Sequence, residues 1–266
     1  MKKLAKFIYK WSVSFGVDPL KMQRAFRGLF EYFRDLRTLK AQRSLGVSDF
    51  PFGSSYPCLE DRFEQSCIAK GHYFHQDLLV ARRIHQSNPM IHIDVGSRID
   101  GFVAHVAAFR EIKVIDIRPI LNSIPKVEFM QANMMVPISK NLIGCCDSLS
   151  CLHALEHFGL GRYGDPVDYD GYVLGLDNLY RLLKKGGTLY LSVPIGNQRI
   201  EFNAHRIFSV KYLMELFKGK YLIEHFSYVD DNGDLHENAP LSETSVNDNF
   251  GCEYGCGIFE LTKLSS

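Results

Sequence analysis

The chain has 266 residues, 46% of them hydrophobic and 23% charged. That is ordinary globular composition, long enough to bury a full core, and its short, charge-broken apolar runs exclude a membrane-spanning helix. The net charge of +1 hides an asymmetry: residues 1–43 carry eleven Lys or Arg against three acids, +8, which leaves −7 on the rest, a balance that argues against a nucleic-acid partner.

The opening MKKLAKFIYKW has basic residues but no continuous apolar stretch and no small-residue cleavage site, so no secretory signal is expected. Leu4, Phe7, Ile8, Trp11 and Phe15 fall on one helical face, and Met22, Phe26, Leu29, Phe30, Phe33 and Leu36 on another, with Asp18 and Pro19 starting the second helix. Residues 1–45 are therefore read as a basic amphipathic helical extension. Such helices lie on an anionic membrane surface, or pack on the domain or on a second copy of the chain as a homodimer. Residues 46–70, with SDFPFGSSYP, read as a connector. Seven scattered cysteines without a C-x-x-C pair suit reduced thiols, hence a cytoplasmic location, with the inner face of a membrane as the alternative.

From residue 71 the pattern is regular. Strand-like runs at 91–95, 112–117, 127–131, 146–152, 187–193, 221–229 and 256–262 alternate with helical stretches, notably 100–110, 172–184 and 209–218. Alternation of this kind predicts an α/β Rossmann-like doubly wound sheet over 71–266, seven-stranded and mainly parallel, with an antiparallel pair closing one edge.

In such sheets ligands bind beyond the carboxyl ends of the strands. After the first strand, 91–95, which carries Asp94, come Gly96, Ser97, Arg98, Asp100 and Gly101, a loop that departs from the G-x-G-x-x-G spacing of a dinucleotide site. Glycine permits close backbone approach, and a donor without phosphates relaxes the demand for more of it. Asp100 reads equally as a carboxylate favoured by the helix dipole. Asp116, twenty residues beyond Gly96, suits the two hydroxyls of a ribose, with Ile117 beside it. Asn133 suits an adenine edge or a plain turn. The fourth strand ends Cys151-Leu152-His153, followed by Glu156 and His157, a set of proton-handling groups at the rim. His153 and His157 stand four apart in H-x-x-E-H, but metal binding by that motif requires a helix and the run before it reads as strand, so no metal is expected. DPVDYDG lacks the spacing of a calcium loop. His205 lies on the loop after the fifth strand, on the pocket side.

Together these segments resemble the class I S-adenosylmethionine-dependent methyltransferases over about residues 71–263: IDVGS as the donor loop, Asp116 as the ribose-binding acid, CCDSLSCLHALEHFG as the fourth-strand motif, LLKKGGTLYLSVP as helix, turn and fifth strand, and HRIFSVKYLMELF with its pocket histidine. VGSRIDGF, GHYFHQD and EHFGLGRYGDP resemble, more narrowly, the domain-of-unknown-function 268 group. The resemblance implies S-adenosyl-L-methionine as cofactor, held by Asp94, Gly96, Ser97, Arg98, Asp100, Gly101, Asp116, Ile117, Asn133, Cys151 and Leu152. It implies methyl transfer to a small-molecule or glycan acceptor, with His157 or His205 as base, His153 and Glu156 as positioning groups, and Tyr73, His75, Arg162 and Tyr163 around the acceptor. The alternatives are a nicotinamide-dependent oxidoreductase and a non-catalytic binding or scaffold protein with a decayed donor loop.

Overall fold

The computed structural model describes residues 2–43, 52–63 and 69–264. The chain divides into two compact units, Met1–Ile68 and Ala69–Ser266.

The first unit carries α1 (Lys2–Ser14) and α2 (Pro19–Arg43). Asp18 starts α2 as expected, accepting hydrogen bonds from the amides of Leu20 at 2.9 Å and Lys21 at 3.2 Å. Gly28 sits under the Leu59 carbonyl, where a Cβ would come within 1.8 Å of the oxygen. Arg62, next to that contact, pairs with Glu31 at 2.8 Å and with Asp35. Phe7, Trp11 and Phe15 form an exposed aromatic ladder along α1, with ring centroids 5.9 and 6.2 Å apart. Among the described residues no helix is long and apolar enough to cross a membrane.

The second unit runs α3 (His72–Ser87), β1 (His92–Val95), a π-turn at Ile99–Val103 continuing into α4 (Ala104–Ala107), β2 (Ile112–Asp116), β3 (Val127–Gln131), β4 (Cys146–Leu152), α5 (Gly171–Leu182) and β5 (Leu183–Ile195). A hairpin of β6 (Arg199–Glu201) and β7 (His205–Ile207) follows, then α6 (Val210–Phe217), β8 (Tyr221–Val229), β9 (Leu235–His236), α7 (Glu243–Asn247) and β10 (Gly255–Lys263). The sheet order is β3-β2-β1-β4-β5-β10-β8-β9. Strands β1 to β5 pair in parallel, and β10 runs antiparallel to both β5 and β8. This is the Rossmann-like sheet the sequence predicts. The two-residue β9 adds an eighth strand, and β10 lies one place inside β8.

Period-two alternation assigns the strand side chains to two cores. Leu189, Leu191, Val193 and Ile195 pack with α5 and α6 through Leu176, Leu179, Leu213 and Phe217. Ile112, Val114, Leu152 and Tyr190 face the other way, onto Leu79, Val80 and Ile84 of α3 and Phe102, Val103 and Val106. Arg83 of α3 is tied to Glu260 of β10 at 2.5 Å. Both faces of the sheet are covered, which leaves its strand ends for a ligand. The chain reverses its direction of sheet growth between β1 and β4, and a crevice opens there at their carboxyl ends.

Candidate active site at the carboxyl ends of the strands

The crevice holds about 530 Å³ of empty space, counting its open mouth, within the range of small-molecule sites. Its floor comes from the strand ends: Val95 and Gly96 after β1, Ile115, Asp116, Ile117 and Arg118 after β2, and Ala132 to Met135 after β3. Its other wall is His153, Ala154, His157 and Phe158, closed by Tyr163 and Asp165.

Gly96 is required twice over. Its φ is +75°, and a Cβ there would lie 2.8 Å from Ala154 Cβ. The turn that follows is built by Asp94, which is fully buried. Asp94 accepts from the Ser97 amide at 3.0 Å, the Ser97 hydroxyl at 2.7 Å and the Ser150 hydroxyl at 2.5 Å. Burial pushes its carboxyl up to about 6, against the lowering by those three donors. Ser150 also contacts the buried His92, whose pKa burial lowers to about 3. Asp94 and Ser97 thus shape the loop from beneath and do not line the crevice.

Arg98 and Asp100 pair with each other at 2.9 Å on the surface, and the guanidinium lies over the Tyr73 ring at 5.4 Å. Arg98 therefore leaves the crevice open. Gly101 faces Asp77, whose carboxylate oxygen would be 2.6 Å from a Cβ. Cys151 and Leu152 are interior residues of β4. Of the eleven donor-binding residues expected, Gly96, Asp116, Ile117 and Asn133 line the crevice. Asn133 spends its carbonyl on a turn, accepting from the Met135 amide at 2.9 Å.

Asp116 is engaged by Arg118 through both carboxylate oxygens: Nε to Oδ1 at 3.1 Å and Nη2 to Oδ2 at 2.9 Å. The same guanidinium stacks on Tyr163 at 4.3 Å. Arg118 was not legible as a site residue, although its spacing of two from Asp116 is the local signal that places it there.

The histidines divide by charge. His153 occupies a left-handed backbone position, φ +50°, held by its amide hydrogen bond to the Ser192 carbonyl at 3.0 Å. Its Nδ1 meets Glu156 at 2.7 Å. Burial alone would lower its pKa, but Cys256 and Glu156 outweigh that and hold it well above the usual value. For Glu156, burial raises the carboxyl and the neighbouring histidines pull it below its usual value. His157 is the opposite case. Burial, aided by Arg162, lowers its pKa. Its Nδ1 lies 2.7 Å from the Ala204 carbonyl, which can only accept, so Nδ1 carries the proton and Nε2 the lone pair. His205 is lowered by burial too and stacks on Tyr254 at 5.0 Å. Glu156 and His205 stand behind the wall that His153 and His157 form. Tyr163 lines the crevice. Tyr73 lies outside, against His153 at 5.1 Å, and His75 against Phe74. Arg162 donates to the Ala204 carbonyl at 3.0 Å.

Two residues that sequence reasoning passed over organise the loop over this wall. Asp165 accepts from the amides of Gly159, Gly161 and Tyr163 at 2.9, 3.2 and 3.1 Å. Arg206 is buried and donates to the carbonyls of Phe158 at 2.6 Å and Tyr169 at 2.9 Å, with longer bonds to Glu156 and Asp168 at 3.4 Å.

The sheet and its switch-point crevice define the class: a doubly wound, Rossmann-like α/β domain. Among solved structures it is similar to a Burkholderia thailandensis 1,6-didemethyltoxoflavin-N1-methyltransferase carrying S-adenosylhomocysteine, with 13% identity and a TM-score of 0.51 over 71% of this chain and 79% of that one. It is similar also to the 4+2 cyclase SpnF, with 14% identity and a TM-score of 0.51 over 72% and 82% of the two chains. At such identities the likeness speaks for the fold. No curated protein matches the chain. Residues 105–249, more than half of the chain, match the family described as Caenorhabditis protein of unknown function, DUF268, and the chain belongs to that family.

Proposed function

We propose that the protein transfers a methyl group from S-adenosylmethionine to an oxygen of a small polar acceptor, a sugar or glycan hydroxyl. The observation that carries this reading is the composition of one crevice: a ribose-type acid, Asp116, and a side-chain-free backbone turn at Gly96 on one side, and a neutral histidine, His157, on the other. The residues fit such a donor. A Cβ at Gly96 would collide with the opposite wall, Asp116 is the only carboxylate of the β2 end facing the crevice, and Asn133 keeps its amide N–H groups for a base edge. The loop has no row of glycines for a pyrophosphate, which disfavours a dinucleotide.

The donor, when bound, supplies an electrophilic methyl on a positive sulfur. The chain's own part is to align the acceptor, exclude water and take a proton. His157 Nε2 is the group for the last task, because Nδ1 is committed to Ala204. A positioned base of this kind contributes ~10²–10⁴ in rate. His153, held cationic beside Glu156, cannot accept the proton and instead orients groups at the rim. Tyr163 and Arg118, stacked on each other, form one side of the mouth. The exposed aromatic ladder of α1 and the basic charge of residues 1–43 would keep the enzyme at an anionic membrane surface, where lipid-linked glycans lie.

One observation favours a second reading, a binding protein without catalysis: Arg118 occupies both oxygens of Asp116. Calorimetry separates the readings. Methyl transfer requires that S-adenosylmethionine and S-adenosylhomocysteine bind and that NAD does not. Heats from neither sulfur compound would leave the binding-protein reading standing.

A further inference from the structure

Behind the crevice wall lies a second cluster with its own chemistry. His72 at the start of α3, His153 at the end of β4 and Cys256 in β10 each present a ligating atom within 4.8 Å of the other two. The three come from segments 81 and 103 residues apart in sequence, so no spacing motif announces them. We propose that His72, His153 and Cys256 bind a divalent transition metal of the zinc class, with three protein ligands and one open position.

The donor set is the first support. Two imidazoles and a thiolate are the ligands that borderline-soft zinc takes, in the pattern that leaves a fourth coordination site for water or substrate. The second support is His153. Its Nδ1 is engaged by Glu156 at 2.7 Å, and its Nε2 is buried with no hydrogen-bond partner among the described residues. A carboxylate on one ring nitrogen and an unpartnered second nitrogen is the arrangement by which proteins fix the orientation of a metal-binding histidine, and the metal takes the place of the proton that Nε2 otherwise carries. An orphaned buried nitrogen is otherwise unfavourable. The third support is the geometry of the rings: His72 and His153 are nearly parallel, 5° apart at 5.1 Å between centroids, so both can present an edge to the same point.

The fit requires a small closure. Zn–N of about 2.0–2.1 Å and Zn–S of about 2.3 Å place tetrahedral ligand atoms roughly 3.3–3.7 Å apart, so side-chain rotations of about one ångström bring the set in from its present spread. Cys256 loses its thiol proton to solvent when the metal binds. Because His153 also lines the crevice, the open position would be reached from the acceptor side. The site stands independently of whether the crevice takes S-adenosylmethionine.

Cobalt(II) titration of the chelator-treated full chain tests it. The expected result is binding of about one equivalent, with a near-ultraviolet thiolate-to-cobalt band and four-coordinate visible bands that zinc(II) abolishes. C256S should remove the thiolate band, and H72A and H153A should weaken binding by at least ~100-fold. E156Q should weaken it ~10–100-fold through the orientation of His153. C58S, in the other unit, should leave the spectrum unchanged. Circular dichroism on each variant checks folding. If C256S or H153A misfolds, half-buried His72 decides the matter. Absence of binding at micromolar cobalt overturns the proposal, as does a spectrum that survives H72A and C256S in folded protein.

Discussion

The guanidinium of Arg118 lies across the carboxylate of Asp116, bonded to both of its oxygens and stacked on Tyr163. A ribose diol that used Asp116 would need those same oxygens. Arg118 must therefore swing away, or share one oxygen, for the donor to bind. Replacing Arg118 by Ala leaves Asp116 free, and S-adenosylhomocysteine should bind up to ~10-fold more tightly in calorimetry. Asp116→Ala should weaken it ~10–100-fold, the loss of about 1.5–3 kcal/mol for hydrogen bonds to a charged group. Equal affinity in wild type and Asp116→Ala would remove this residue from the donor site.

His157 is neutral because burial and Arg162 both disfavour its charge. A group with a lowered pKa is already deprotonated at neutral pH, so methyl transfer that uses it as base should be flat above about pH 6.5 and fall as pH drops through the lowered value. His157→Gln should reduce kcat by ~10²–10⁴ and abolish that acidic limb, while S-adenosylhomocysteine affinity changes little. An unchanged limb in the variant would assign it to another group, with His205 next in line.

The strands were legible because their signal is local. The runs 127–131 and 146–152 match β3 and β4 residue for residue, and 112–117 exceeds β2 by one, since each is a short run bounded by polar turns: β4 is nearly continuously buried, and β3 is a half-exposed edge strand. Helix 100–110 was less well read: it opens as a π-turn around Gly101, where φ is −122° and ψ −108°, and ends at Ala107. The β6–β7 hairpin was missed because three-residue strands carry no period. Asp116, Gly96 and His157 were legible from their places after strands. Ser97, Cys151 and Leu152 share those segments, but Asp94 ties Ser97 beneath the loop, and the pleat sends the consecutive Cys151 and Leu152 into the two cores, one on each face. Cys256 was invisible as a partner of His153 because only the antiparallel return of β10 beside β5 brings it there.

Arg206 holds four carbonyls between Glu156 and Asp168–Tyr169, and so fixes the loop that carries His157 and Tyr163. Its replacement by Ala leaves the carbonyls of Phe158 and Tyr169 without this donor in a part-buried place, while Asp168 keeps the amide of Gly171 at 3.2 Å. The variant should lose ~2–4 kcal/mol in denaturant unfolding, among the larger effects for a single polar substitution. Lys reaches fewer carbonyls and should recover only part of the loss. If Arg206→Ala unfolds at the wild-type denaturant midpoint, the loop is held by Asp165 and the glycine turns alone.

Asp94 gives the protein a pH signature of its own. Its folded carboxyl titrates near 6, above the ordinary 3.8, because it is fully buried. Between these values the native state keeps a proton that the unfolded chain has released, so this group's contribution to stability is complete below about pH 4 and is lost as pH rises through 6. The interval corresponds to ~3 kcal/mol. Asp94→Asn removes the titration, though its amide also meets the Ser97 and Ser150 donors less well. The stability of the variant relative to wild type should accordingly climb by ~3 kcal/mol from pH 4 to 6.5 and stay level above it, as followed by urea unfolding at each pH. A difference that does not vary with pH would mean that Asp94 is ionised throughout, held by its three donors against its burial.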